Sequence, residues 1–476
     1  MRSHQHPDST GGYDIMQAKN RKHKTSVRRH IAGLVLTAAA AGTVGTAVSC
    51  STDITNPGGA QDEFLDSLAA HSALIVGTRR SLANAMTNVI YWGAAMVFEI
   101  NPAGSTGSYG IESYIQAGEF RNDDIGQWGD TQEARWTAED AVDRFRRVLP
   151  EIPDAPDFNS YAPAAQGLVW AGFANRLLGE NFCQVTFNGS GLLPHTAAFE
   201  RADSLFQDAL PIAQAAGLDD WVTAAHAGRA SVLADLATYG LASWTDAAAE
   251  AALVPDDFVW QVPYSDQEQA QYNWLYWANG NSPYRAHTTW GTYWANVSEP
   301  RTPFDSTTGL GGDAAVDKFG GNVPWWPELK DSTRDTPINV ASGWEMRLVR
   351  AEAALAANDL TEAANQMNVR RADLGMSLYP VPFASLAAGY TALKYERAAE
   401  LWLEGRRLGD IRRWMDNNVP GSYTDGNYRD IDQVDHFPDK VEDLSTRDRA
   451  FWVDIGEVET NPNVTASQLA SCSPGG

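Results

Sequence analysis

The chain has 476 residues and a formal net charge of -24, with 43% hydrophobic and 20% charged residues. That length holds one large domain or two to three ordinary ones, and the composition is that of a globular protein. The negative charge argues against a nucleic-acid partner, whose phosphates need Lys and Arg, while 17 Trp and 16 Tyr make the chain unusually aromatic.

The first element is a targeting segment. "KNRKHKTSVRRH" (19–30) is basic, "IAGLVLTAAAAGTVGTAV" (31–48) is apolar and rich in small residues, and "AVSC" (47–50) leads into the polar "STDITNPGG". This order reads as a secretory signal; an apolar run of that length also just reaches across a bilayer, so a membrane anchor is the alternative. A Cys directly after small residues resembles the lipobox of bacterial lipoproteins, with Ala47 where Leu is usual. The resemblance implies that residues 1–49 are removed and that Cys50 is acylated, with residues 50–62 as a flexible tether. Met16 would serve as well as Met1 as the start, and the pair Arg28-Arg29 fits an ordinary basic leader better than a twin-arginine motif. Residues 1–49 carry seven Lys/Arg and two Asp, so their removal takes the formal charge from -24 to -29. Such a body suits a tether and disfavours polybasic attachment to an anionic surface. Of the three Cys, Cys183 and Cys472 then form an even pair in an oxidising compartment. A disulfide tying the C-terminal tail to the body is expected, with two free thiols as the alternative. No CxxC or HExxH occurs and the nine His are scattered, so neither a metal nor another cofactor is indicated.

Helical periodicity then dominates. In residues 61–90, Leu68, Ile75, Leu82, Met86 and Val89 recur at threes and fours. Residues 162–183 open with Pro163 in a favourable first-turn position, and 195–217 end at Gly217, a good C-cap. Residues 221–240 and 243–255 make a further pair, and 344–375 read as helix, Asn-Asp turn, helix, with Gly375 at the end. The chain is therefore expected to be predominantly all-α, its helix pairs resembling tetratricopeptide units. Residues 63–254 form the first helical part and 343–476 the last, separated by an irregular segment, 255–342. A loop of that length is usually functional or disordered, and its aromatic density argues against disorder. Seven of the 17 Trp fall within residues 260–326, among them Trp260, Trp274, Trp277, Trp290 and Trp294, beside Tyr264, Tyr272 and Tyr293.

The segment "YERAAELWLEGRRLGDIRRW" (395–414) sets a problem, because a helix would line Glu396, Glu400 and Glu404 along one face. Like charges at that spacing cost roughly 0.2–0.5 kcal/mol per pair. A glycosidase-like acid/base pair must flank its bond from different directions, which neighbours on one helix face do not. Compensation by Arg397, Arg406 and Arg407, or by Arg347 and Arg350 of the preceding helix, is the expected answer.

"WEMRLVRAEAAL" followed downstream by this segment resembles the C-terminal half of the SusD/RagB family of outer-membrane lipoproteins. Glu345, Met346, Leu348, Arg350, Ala351, Glu352 and Ala353 match the first motif of that family. Glu396, Arg397, Glu400, Leu401, Glu404, Gly405, Arg406, Asp410, Arg413 and Trp414 match the second. Residues 255–342 have no counterpart in detail, and the chain is shorter than many members. The resemblance implies a non-enzymatic protein on the cell exterior that captures glycans, or peptides in some members, as the lid of a SusC-type TonB-dependent transporter. Sugar faces stack on exposed rings, so Trp274, Trp277, Trp290, Tyr293 and Trp294 are the candidate ligand-binding residues, with Trp92 from the second aromatic stretch (88–101). Asn273, Asn279, Asn281 and Arg285 would take the hydroxyls. Any one ring has an alternative role as core for the long insert. A secreted helical hydrolase or lyase, enlisting Asp256, Asp257, Asp305 or Glu328, and a helical-repeat scaffold remain as other classes. If Cys50 is lipidated, Cys50→Ala leaves the exported protein soluble and without acyl mass, as membrane fractionation and mass spectrometry of the N-terminus will read.

Overall fold

The computed structural model describes residues 62–102, 114–115, 118–123, 126–276, 287–289, 299–305, 307, 327–423 and 447–469, all within one compact unit. Helices dominate, as the periodicity predicts. After a single turn at Asp62–Leu65 come α1 (Leu68–Met96), α2 (Gly126–Val148), α3 (Ala162–Asn181), α4 (Thr196–Ala215), α5 (Asp219–Thr238) and α6 (Trp244–Ala251). The C-terminal part holds α7 (Gly343–Ala356), α8 (Leu360–Asp373), α9 (Leu386–Glu400), α10 (Arg407–Asp416) and the short α11 (Gly456–Thr460). Consecutive helices from α2 to α6 pack pairwise, as do α7 and α8.

Helix α3 is the centre of the body. Apart from Gln166, every residue from Ala164 to Asn181 is buried, so the helix is covered on all sides. Its small residues set how close the neighbours come. Phe206 of α4 lies in a slot between two glycines: a Cβ on Gly172 of α3 would sit 2.6 Å from its ring, and one on Gly228 of α5 would sit 2.3 Å from it. Three helices thus meet on one aromatic ring at interior packing density. The connections obey capping chemistry. Ser342 and Asp359 accept from the first-turn amides of α7 and α8, and Gly217 and Gly375 take positive φ just beyond the ends of α4 and α8.

Helix α2 is not singled out by the sequence, because its buried face mixes apolar residues (Trp128, Ala134, Ala138, Val142, Phe145) with polar and charged ones (Gln127, Arg135, Glu139). Short strands are the second difference. β1 (Ile100–Pro102) pairs with β5 (His287–Thr289), β2 (Gln184–Val185) with β3 (Leu193–Pro194), and β4 (Val259–Val262) with β6 (Ile338–Ser342), all antiparallel. Strands of two to five residues are too short to display a period of two. The β4–β6 ladder matters most, since it closes the base of the aromatic insert: Trp260 faces Ala341 and Val262 faces Ile338. The β1–β5 ladder brings the end of the 88–101 stretch beside insert residues 287–289.

Gly228→Ala is expected to cost about 1–3 kcal/mol, the usual range for overpacking a core, because the new methyl group must displace Phe206. Urea denaturation of the variant beside the parent chain measures it.

Candidate functional site

The three signature carboxylates do not share one helix face. α9 stops at Glu400, residues 401–405 form a turn with Leu403 and Gly405 at positive φ, and α10 restarts at Arg407. Tertiary contacts hold this break open. Trp402 is fully buried and donates its Nε1–H to the Glu99 carbonyl at 3.1 Å, while the Leu403 amide donates to Glu99 Oε1 at 3.3 Å.

The compensating cations also differ from the expected set. Glu396 accepts from Arg301 (2.7 Å), Arg371 (2.6 Å) and the Tyr379 hydroxyl (2.8 Å). Glu400 accepts from Arg301 at 3.2 Å and Arg370 at 3.1 Å, and Glu404 from Lys330 and Asn339, each at 2.8 Å. Arg397 instead pairs with Asp410, Arg406 with Glu180 and Glu345, and Arg347 with Asp256. Arg407 reaches the Val97 carbonyl, and no ion pair of Arg350 falls within 4 Å among the described residues. The difference has a meaning: Arg301 and Lys330 belong to the insert. They lie on two strands of chain joined by an antiparallel bridge between Phe304 and Glu328, with Asp305 N–H to Pro327 O at 3.0 Å and Leu329 N–H to Pro303 O at 2.8 Å. The carboxylates therefore clamp the neck of the insert to the end of α9. Glu299 strengthens the clamp, accepting from Arg301 and from the Tyr395 hydroxyl at 2.7 Å each.

The first part of the insert lies against α1. Tyr264 donates its hydroxyl to Ala83 O at 2.7 Å, Arg80 donates to Ala270 O at 2.6 Å, and the Trp274 amide donates to Thr87 Oγ1 at 2.8 Å. Between the two runs a groove of about 230 Å³, lined by Arg79, Arg80, Asn84, Tyr264, Gln271 and Tyr272. Trp274 is half-buried beside it in sequence. Trp92, further along α1, is half-buried too and meets Tyr91 edge-on at 5.3 Å. Trp277, Trp290, Tyr293 and Trp294 lie outside the described residues, as do Asn279, Asn281 and Arg285.

Other sequence candidates are structural. Trp260 stacks on Trp170 at 5.7 Å and meets Trp221 at 4.8 Å, so it belongs to the core. Asn273 is fully buried and offers no hydroxyl partner: it donates to Asp331 (2.7 Å) and Thr336 O (3.0 Å) and accepts from the Leu275 amide (2.9 Å). Of the carboxylates open to a hydrolase reading, Asp256 is bound by Arg347, whose hydrogen bonds hold it below the usual carboxylate range, the opposite of a general acid. Asp305 is likewise lowered, by its Thr307 partner, and Glu328 is buried with its Oε2 on the Asp331 amide. Asp257 is exposed. Cys183 is disulfide-bonded, and its amide donates to Phe451 O at 3.1 Å where the C-terminal run docks. Its partner is one of the other two cysteines, Cys472 or Cys50, and both lie outside the described residues.

Comparison with known proteins agrees with this architecture. Residues 344–467 match the SusD family model. Most of the chain is similar in fold to solved SusD-superfamily structures. One from Bacteroides vulgatus gives a TM-score of 0.58 at 14% identity, covering 84% of this chain and 99% of its own. One from Bacteroides thetaiotaomicron gives 0.61 at 13% identity over 84% and 99%, and one from Bacteroides fragilis 0.61 at 13% over 84% and 98%. No curated protein matches by sequence. The fold is that of these SusD-superfamily structures, and residues 344–467 are similar in sequence to the SusD family, which bears out the resemblance carried by the two motifs. Among the described residues no helix is long and apolar enough to cross a membrane.

Burial pushes Glu99 from 4.5 up to about 7, although Arg407, the Leu403 amide and Lys330 pull the other way. A carboxyl raised in the folded state favours folding while it is protonated in both states, below about pH 4.5. That contribution is lost as pH rises from 4.5 through 7, because only the unfolded chain ionises freely. Glu99→Gln is therefore expected to stabilise by up to roughly 3 kcal/mol at pH 8 and by little at pH 4.5, read by urea denaturation at the two pH values.

Proposed function

We propose that this chain is a nutrient-binding lipoprotein of the cell exterior, anchored to the outer membrane through Cys50. In this reading it captures oligosaccharides and delivers them to a SusC-type TonB-dependent transporter, for which it acts as lid. One observation carries most of the reading. The signature carboxylates, for which the sequence raised and disfavoured a catalytic reading, are held by cations, of which Arg301 and Lys330 belong to the neck of an aromatic-rich insert. Binding energy is then left to the insert, where Trp and Tyr each offer roughly 150–250 Å² of rigid amphipathic surface. The secretory leader and the SusD-type C-terminal region support the same conclusion.

A cationic peptide is the second ligand this body would attract, since the formal charge of the whole chain is -24 and cation–π contacts on Trp are worth about 0.5–2 kcal/mol. Salt separates the two, because stacking on a neutral sugar barely responds to screening while a cationic ligand weakens. Turnover of polysaccharide by the purified protein would favour the hydrolase or lyase instead.

Gentle purification from native outer membrane is expected to bring down a large β-barrel transporter in near-equal amount; repeated recovery of the protein alone would refute the partnership. Single Ala replacements of Trp274, Trp277, Trp290 and Trp294 are expected to weaken an oligosaccharide identified on a glycan array, with Tm nearly unchanged for at least two of them. Normal binding by all four, or unfolding of all four, would move the site elsewhere.

A further inference from the structure

A second cleft shares no residue with the insert groove. It has a volume of about 730 Å³ and lies between the first half of α2, the turn after β2 and the segment around α11. That volume is within the usual range for a small-ligand site, about 300–1,000 Å³. Trp136 stands at its wall with 53% of its surface exposed, and it is the only exposed tryptophan among the described residues. Its neighbour on the helix, Trp128, is buried with its Nε1–H on Glu457 at 3.3 Å, so the two α2 tryptophans of the cleft have opposite fates.

The polar lining is prepared on both sides of a hydrogen bond. Asn188 uses Oδ1 to accept from Arg135 at 3.3 Å, and its Nδ2 donates to nothing among the described residues. Asp454 uses Oδ1 to accept from the Gly456 amide at 2.6 Å, and its Oδ2 accepts from nothing there. One open donor and one open acceptor are what a hydroxyl group, itself donor and acceptor, engages. Charge narrows the class further. Arg135 is the only cation of the lining, and it is 4% exposed, bound to Glu139 at 2.8 Å and to Gln132 at 2.9 Å. A phosphate, sulfate or uronate would find no available counter-charge and would meet two carboxylates, Asp454 and Glu457.

We propose that this cleft is a second binding site for a neutral oligosaccharide, with Trp136 as its stacking platform and Asn188 and Asp454 as hydroxyl partners. The proposal takes its ligand class from the function proposed above and places it on different residues. Two sites on one body raise the effective concentration of a long chain at the insert whenever either end is held.

Hydrogen–deuterium exchange of the full exported chain, with and without neutral gluco-, manno- and xylo-hexasaccharides, tests it. The expected result is protection of peptides covering 126–136 and 454–460 by at least one of the three. Trp136→Ala abolishes that protection and weakens the site at least tenfold by calorimetry, while exchange in the free protein stays unchanged. Protection confined to the insert would overturn this site and leave the proposed function standing; protection nowhere would overturn both. Equal protection by a sulfated hexasaccharide would overturn the ligand class. Loss of transporter co-purification in Trp136→Ala, with sugar protection unchanged, would make the cleft a protein-docking surface and overturn the proposal.

Discussion

Arg406 joins the first helical part of the chain to the last. Its guanidinium, buried to 4% exposure, donates to Glu345 on α7 and to Ser231 on α5, each at 2.6 Å, and pairs with Glu180 on α3 at 2.8 Å. One side chain from the turn before α10 thus touches the central helix, a helix of the first half and the first helix of the C-terminal hairpin. Arg413 repeats the arrangement about two turns later, with Glu352 on α7 at 2.7 Å and 2.8 Å, Asp410 at 2.9 Å and Asp235 on α5 at 3.2 Å. Arg412 donates to the Phe182 carbonyl at 2.7 Å and to the Gly179 carbonyl, covering the C-terminal end of α3 where a cation is favoured.

Buried ion pairs of this kind lose hydration on both partners, and an apolar replacement of the same volume is often equally stable. What they supply is register. A hydrophobic face tolerates sliding, whereas a guanidinium shared among three carboxyl or hydroxyl groups meets all three in one docking only. Removing one partner leaves a buried charge, at a cost of roughly 3–5 kcal/mol, so the joint is held in place by what its loss would expose.

The same logic extends outward to the insert. Once α10 is docked on α3, the turn at residues 401–405 is fixed, with Trp402 and Glu99 in its interior. Glu396, Glu400 and Glu404 then face Arg301 and Lys330, and the neck at Phe304 and Glu328 has one place to go. The base of the insert is thus held by the body itself.

Much of this was legible in the residues. Helices α1 and α3 to α8 follow from apolar spacing, caps and turn glycines, all local properties that a chain expresses wherever it sits. The two C-terminal motifs, read together, pointed to the superfamily whose fold the chain has. Pairing partners were not legible: Glu396 has Arg397 beside it in sequence, yet its cations are Arg301 and Arg371, because a helix turns neighbouring side chains away and only the tertiary fold decides who faces whom. α2 escaped notice because charged residues such as Arg135 and Glu139 lie on its buried face and blur the hydrophobic contrast, and the strands because two to five residues show no period. Asn273 read as a hydroxyl partner for a ligand and proved to be an interior strut, while Trp136, in a charged segment with no expectation attached to it, is the one tryptophan left exposed among the described residues. Local spacing determines which elements form. Burial is a property of the assembled surface, and that alone decided which of the aromatic and charged residues were spent on holding the fold and which remain to meet something else.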